Sequence, residues 1–219
     1  MSTARALILQ RIQTALKDGT PTAQPQVQPS NGAIARDYRQ RDEAPREDII
    51  ARFIERVTEY KAQVRRVEEN QLAAAIAEAL KARSVERLVV PADLPDAWLP
   101  ASITLLRDNG DLSYDTLDSG QGVLTGCALG IAQTGTIVLD HGAYQGRRAI
   151  SLVPDYHLCI VREAQVVGLA PEAIAQLEKA ARAGRPITFI SGPSATSDIE
   201  LNRVEGVHGP RTLEVLVVV

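Results

Sequence analysis

Cysteine, aromatic residues and surplus basic charge are all scarce in this chain of 219 residues, and each shortage excludes something. Its 2 cysteines, Cys127 and Cys159, are too few for a disulfide framework. An iron–sulfur cluster takes about four thiolates, so none is expected here either. Aromatic residues make up 4% of the chain and the formal net charge is −3. A nucleic-acid binder needs a basic face for phosphates and stacking rings for single strands, so nucleic acid is excluded as the main partner. No run approaches the roughly 20 apolar residues of a membrane span. The opening "MSTARALILQRIQTAL" carries charge among its apolar positions and has no small-residue cleavage site, so it does not read as a secretory signal. The chain reads as cytoplasmic and without a bound cofactor.

What is present is an ordinary globular composition, 45% hydrophobic and 23% charged. A first helix, "TARALILQRIQTAL", is followed by "TPTAQPQVQPSNG", a Pro- and Gln-rich stretch with almost nothing to bury. Residues 1–44 are therefore read as an appended helix and linker, and residues 45–219 as one α/β domain. From Pro45 onward helical and strand periods alternate. "PREDIIARFIERVTEY" is an amphipathic helix opened by Pro and acids, and "QLAAAIAEALKAR" a second helix capped by Asn70. "PEAIAQLEKAARAG" is a third, with Pro171 at its start and Gly184 past its end. Between them "AQVRRVEE", "VERLVVPADLP", "SITLLRD", "TIVLD", "HLCIV", "ITFIS" and "RTLEVLVVV" read as strands, the last apolar enough to be buried on both faces. Such alternation predicts a largely parallel sheet flanked by helices.

Four stretches carry candidate chemistry. In "ISGPSATSDIE", Gly192 permits close backbone approach, and Ser191, Ser194, Thr196 and Ser197 supply hydroxyls. If a helix begins at Asp198, its N-terminus favours an anion such as phosphate or carboxylate. Ser197 and Glu200 equally match a capping box, which needs no ligand. Both readings stand. In "AQTGTIVLD", Gln133, Thr134, Gly135 and Thr136 form either a tight threonine-bonded turn or the wall of a ligand site. In "DHGAYQGRRAISLVPD", adjacent arginines on an extended segment face opposite ways. Arg147 is assigned to the cleft, as a bidentate partner for an anion, and Arg148 to a surface pair. His208 and Gly209, in "GVHGP", sit on a constrained loop, and His208 is the candidate general acid or base. His157 and Cys159 share a strand face, but no third ligand accompanies them, so no metal site is expected. These loops are expected to meet at one cleft on the carboxyl edge of the sheet.

The stretches "AQTGTIVLD", "GRRAISLVPDYHLCIVREAQVV" and "ISGPSATSDIELNRVEGVHGPRTLEVLVV", in this order and spacing, resemble the LUD domain of the lactate-utilisation protein C family, the LutC- and YkgG-like proteins. The resemblance implies a fold akin to the sugar-phosphate isomerase (NagB, RpiA) and CoA-transferase superfamily. It also implies a role beside iron–sulfur partner proteins in the oxidation of L-lactate to pyruvate. The family often carries Glu where this chain has Gln133, and an amide cannot serve as a carboxylate nucleophile or base. Two functions follow as expectations: an accessory or ligand-binding subunit of a lactate-utilisation system, or an enzyme acting on an anionic, phosphorylated or CoA-linked metabolite.

Overall fold

The structure is a computed structural model, and it describes residues 3–18, 37–196, 204–205 and 209–219. The chain divides into two units, Met1–Tyr38 and Arg39–Val219. Within the first, α1 (Thr3–Asp18) is a single helix.

In the second unit, residues 39–44 precede the first helix and are strapped to the body through Asp42. Its carboxylate is 2% exposed and pairs with Arg39 and Arg52. Its backbone N–H donates to Glu172 Oε1 at 3.0 Å. Burial raises the Asp42 pKa, but the Ala44 N–H and the Arg52 charge more than offset it and hold the carboxyl below its ordinary value. Helix α2 (Arg46–Glu59) then buries Ile49, Ile50, Phe53 and Val57, the 3–4 spacing of an amphipathic stripe. Strand β1 (Gln63–Val67) leads through a 3₁₀ turn, Glu69–Gln71, into α3 (Leu72–Ala82). Asn70 therefore lies inside that turn and does not cap α3 as expected, because the 3₁₀ bonds already occupy the entry.

Strands β2 (Arg87–Pro91) and β3 (Thr104–Asp108) are followed by the short α4 (Tyr114–Asp118), β4 (Gly122–Thr125), β5 (Leu129–Ile131) and β6 (Thr136–Leu139). Strands β7 (Tyr156–Arg162) and β8 (Val166–Val167) lead to α5 (Ala170–Arg182). Pro171 sits in the first turn of α5, as expected, and Glu172 Oε2 accepts from the Gly168 and Leu169 N–H groups before it. The chain continues through β9 (Thr188–Ile190), β10 (Ala195–Thr196), β11 (Val204–Glu205) and β12 (Thr212–Val218).

Six strands form one sheet in the order β1-β12-β7-β4-β2-β3, every described pair parallel. Both faces are covered, which explains the unbroken apolar runs. Leu158 and Ile160 of β7, with Leu216 and Val218 of β12, pack on α3 residues Ile76 and Leu80. The alternate residues Cys159, Val161, Val215 and Val217 pack on α2 and on the second sheet. At about 25 cal/mol per Å² removed from water, this two-sided burial dominates the stability of the domain.

The second sheet has four strands in the order β8-β5-β6-β9, with β6 antiparallel to both its neighbours. Sequence reading placed "ITFIS" in the parallel sheet. Strand β9 belongs instead to this smaller sheet, with Ile190 opposite Ile137. No helix among the described residues is long and apolar enough to cross a membrane.

Candidate functional site

Because β9 runs antiparallel to β6, the loop leaving β9 arrives at the start of β6. That brings two of the four candidate stretches together. Thr134 Oγ1 lies 2.7 Å from Thr136 Oγ1, which lies 2.8 Å from Ser191 Oγ, a chain of three hydroxyls. The glycines between them serve a different neighbour from the one expected. Gly192 has φ +86°, and a Cβ there would stand 2.6 Å from Tyr60 Cβ. Gly135 has φ +58°, and a Cβ there would stand 2.6 Å from the Arg56 carbonyl carbon. Both glycines let the loops close onto the end of α2. Gln133 is exposed and turned toward α5, where its Oε1 accepts from the Ala170 N–H at 3.5 Å.

The Ser191 loop does border a cleft, of about 230 Å³, whose lining includes Arg148, Ser151, His157, Ser191, Ser194 and Gly209. Its position differs from expectation. His157 and Leu213 stand near the starts of β7 and β12, so the cleft opens at the amino-terminal ends of the parallel strands, the consequence of β9 lying in the second sheet, antiparallel to β6. Ser197, Asp198 and His208 lie outside the described residues, and the backbone of Thr196 pairs with Val204 in the β10–β11 ladder.

The arginine pair splits as its geometry requires, with the roles exchanged. Arg147 Nε donates to Asp108 Oδ2 at 2.8 Å and its Nη2 to Asp108 Oδ1 at 3.2 Å. The Asp108 side chain is 1% exposed, so this guanidinium is committed to a buried carboxylate away from the cleft. Arg148 lines the cleft, donates to Ser151 Oγ at 3.3 Å and makes no ion pair among the described residues. On the cleft floor His157 is 1% exposed, its Nε2 2.8 Å from Thr125 Oγ1. A cation, several hydroxyls and an imidazole around a small volume suit a carboxylate or phosphate.

A larger cleft, of about 430 Å³, lies at the opposite edge, lined by Trp98, Cys127, Asp140, Tyr144, Arg162 and Gln165 among others. It occupies the carboxyl ends of β4 and β7, beside β2. Chain order reverses here: β3 follows β2 on one side, while β7 and β12 succeed β4 on the other. This is the topological switch point at which open α/β sheets take up ligands. The rim is a loop with two non-glycine residues in the left-handed region, His141 at φ +56° and Tyr144 at φ +64°. Such residues cost about 1–3 kcal/mol each and persist only where the surroundings hold them. Here Gln145, 4% exposed, donates to Asp140 Oδ1 at 3.0 Å and accepts from the Asp140 N–H at 2.6 Å. The Tyr144 N–H donates to Asp93 Oδ2, and its carbonyl accepts from the Gly126 N–H, both at 2.8 Å. Its ring meets Trp98 edge-on, centroids 5.7 Å apart. Burial, then the Arg148 charge, pull the His141 pKa below its ordinary value, with Asp140 opposing.

A line of buried polar atoms joins the two clefts. Cys127 is 4% exposed in the wall of the larger one, and Cys159 is fully buried behind it. Both are free thiols. Thr125, opposite Cys159 in the β4–β7 register, donates to its Sγ at 3.9 Å, and its Oγ1 lies 2.8 Å from His157 Nε2. The neighbouring Cys159 thiol raises the Cys127 pKa, and burial adds to the rise. That of Cys159 is lowered by Cys127, against burial and with His157 assisting. The described residues contain no group of three or more His, Cys, Asp or Glu arranged to hold a metal.

The larger cleft escaped sequence reading. Its walls come from five separate segments and match no motif; the lone Trp98 and the Gly-rich "DHGAYQG" were its only traces.

Fold and clefts together define a parallel α/β domain with a small second sheet and, among the described residues, clefts of small-molecule size at both ends of its strands. A family model described as the LUD domain matches residues 50–218. The chain belongs to the LUD domain family. It is 50% identical over 173 residues to "Lactate utilization protein C" of Deinococcus radiodurans, covering 79% of this chain and 81% of that protein. It is 33% identical over 168 residues to the protein of the same name from Geobacillus thermodenitrificans, covering 68% and 69%. A crystal structure of a DUF162 family protein from Deinococcus radiodurans superposes with a TM-score of 0.71 at 44% identity, covering 80% of this chain and 99% of that one.

Proposed function

We propose that this chain is a component of a lactate-utilisation system and acts there as an accessory, ligand-binding subunit in the cytoplasm, alongside iron–sulfur partner proteins. The observation that carries the reading is the 50% identity, over most of both chains, to a protein named for lactate utilisation. The chemistry of the smaller cleft supports an anionic ligand: Arg148 presents a guanidinium beside Ser151 and Ser191 in a space suited to a small carboxylate. Two cysteines are too few for the four thiolates a cluster usually takes, which supports a reading in which separate partner proteins carry the clusters. The test is deletion of the gene followed by growth on L-lactate as sole carbon source. Growth is expected to fail on lactate, to stay normal on glucose, and to return with the wild-type gene. Normal growth of the deletion strain on lactate would sink the reading.

One observation favours the competing reading, an enzyme acting on an anionic, phosphorylated or CoA-linked metabolite. The His157 imidazole at the cleft floor is positioned as an acid or base. Turnover of such a metabolite by the purified protein, abolished in His157→Gln, would establish it.

A further inference from the structure

Every charge in the described lining of the larger cleft already has a partner. Only Asp140 and Arg162 carry one. Arg185 Nη2 donates to Asp140 Oδ2 at 2.8 Å. The Arg162 guanidinium holds the Glu69 carboxylate through both Nη atoms and stands 5.9 Å from the centroid of the Trp98 ring. An ionic ligand would have to break one of these pairs or remain unpaired itself, and either is costly. The smaller cleft is the opposite case, since Arg148 makes no ion pair there among the described residues. The backbone beneath the larger cleft is also satisfied: Gln165 Nε2 donates to the Cys127 carbonyl at 2.7 Å, and its Oε1 accepts from the Arg162 N–H at 2.9 Å.

What the cleft leaves open is uncharged. Its buried apolar lining includes Leu129, Ile160 and Leu177. The Tyr144 ring is 39% exposed at the rim, with Trp98 edge-on against it. Two separate features put that ring there. Tyr144 is held at φ +64°, a strain that persists at sites where the side chain is needed. Gly126 donates its N–H to the Tyr144 carbonyl at 2.8 Å, and a Cβ on Gly126 would stand 3.3 Å from Tyr144 Cβ. From α5 comes Gln176, exposed and lining the cleft. Neither its amide nor the Tyr144 hydroxyl makes a hydrogen bond among the described residues, and both groups can donate and accept. An open aromatic ring with unoccupied amide and hydroxyl groups is the complement of a flat ring with polar edges. We infer that the larger cleft binds an uncharged, planar nitrogen heterocycle, such as a nucleobase or a nicotinamide ring, its face on Tyr144 and its polar edge on Gln176. The volume of about 430 Å³ falls in the range of small-molecule sites, roughly 300–1,000 Å³.

Neither lactate nor the smaller cleft enters the test. Trp98 is the only tryptophan of the chain and lines this cleft, so its fluorescence reports on the site directly. Adenosine and nicotinamide are titrated into the full-length protein. Nicotinate, the same ring as nicotinamide with a carboxylate in place of the amide, is the charged counterpart. Adenosine or nicotinamide is expected to give a saturating change in Trp98 emission. Nicotinate should bind at least about tenfold more weakly, having no free cation to meet it. Gln176→Glu keeps the size of an exposed side chain and removes the amide donor, and should weaken binding about fivefold. Tyr144→Asn keeps a residue tolerant of φ +64° and removes the ring, and should abolish saturation. Equilibrium dialysis reads both variants without relying on Trp98, whose surroundings Tyr144→Asn alters. If that variant fails to fold, Gln176→Glu and nicotinate decide. A response that stays linear with both neutral rings, nicotinate bound as tightly as they are, or unchanged dialysis in Gln176→Glu would each overturn the inference.

Discussion

The two clefts lie at opposite ends of the same strands and are built on opposite principles. The smaller is framed by glycine, serine and threonine, residues that stand out in a sequence because they bend and bond the backbone. Yet Gly135 and Gly192 are there to admit the end of α2, not a ligand. The larger is framed by Trp98, Cys127, Tyr144 and Arg162, none remarkable in its own segment, and its backbone strain falls on residues that are not glycine. Local composition marks where the chain must turn. A site assembled from distant segments leaves no such mark.

Four substitutions, at two arginines and two glycines, sharpen or break this contrast. The largest effect is expected from the adjacent arginines. Arg147→Ala removes the partner of a carboxylate that is 1% exposed and should cost about 3–5 kcal/mol in urea unfolding. Arg148→Ala should cost under about 0.5 kcal/mol, as surface substitutions do, while abolishing the stabilisation that small carboxylates give in thermal melts. Equal costs would mean that the division of labour between the pair is wrong. Next is Gly192→Val, which forces a side chain to φ +86° and into Tyr60, 2.6 Å from its Cβ. A loss of about 3 kcal/mol is expected. Gly209→Ala, where the nearest atom would be 3.7 Å away, should cost about 1 kcal/mol through its φ of +147° alone. If Gly192→Val melts like wild type, its close approach to α2 is not holding the loop.

The smallest effect is a slope. The folded His141 pKa lies below the ordinary value, so the unfolded chain binds more protons as the solution is acidified. The stability this histidine contributes is complete above about pH 6.5 and is lost as pH falls through the depressed folded value. His141→Asn keeps a residue tolerant of φ +56° and removes the titration. Unfolding free energies from about pH 8 to 5 should decline less steeply in the variant. Parallel declines would remove His141 from the account of the rim.

The fold was largely legible from the chain. Burial on both faces leaves continuous apolar runs at β7 and β12, and α2 and α5 announce themselves by period, by Pro171 and by first-turn acids. The second sheet was not. Strands β5 and β8 are three and two residues long, too short to show a period, and the membership of β9 depends on a partner some fifty positions away, with Ile190 opposite Ile137. The same error moved the serine cleft to the wrong edge. The exchange of Arg147 and Arg148 was equally hidden. Alternation says that the two diverge, but only the buried Asp108 decides which one turns inward.

The place of β12 in the sheet has a consequence for how the protein is made. Strand β1 has a single sheet neighbour, β12, which also completes β7, so residues 63–67 wait for residues 214–218. At about 5–20 residues per second, a ribosome takes on the order of ten to thirty seconds to cover that interval. Throughout it, β1 and the apolar β7 present open edges that invite pairing with other nascent chains. Long-range parallel pairing is also intrinsically slow once the last strand has emerged. The molecule thus spends its synthesis as an unfinished sheet with an open seam. A polypeptide halted before residue 212 is a client for chaperones and proteases, not a smaller working domain.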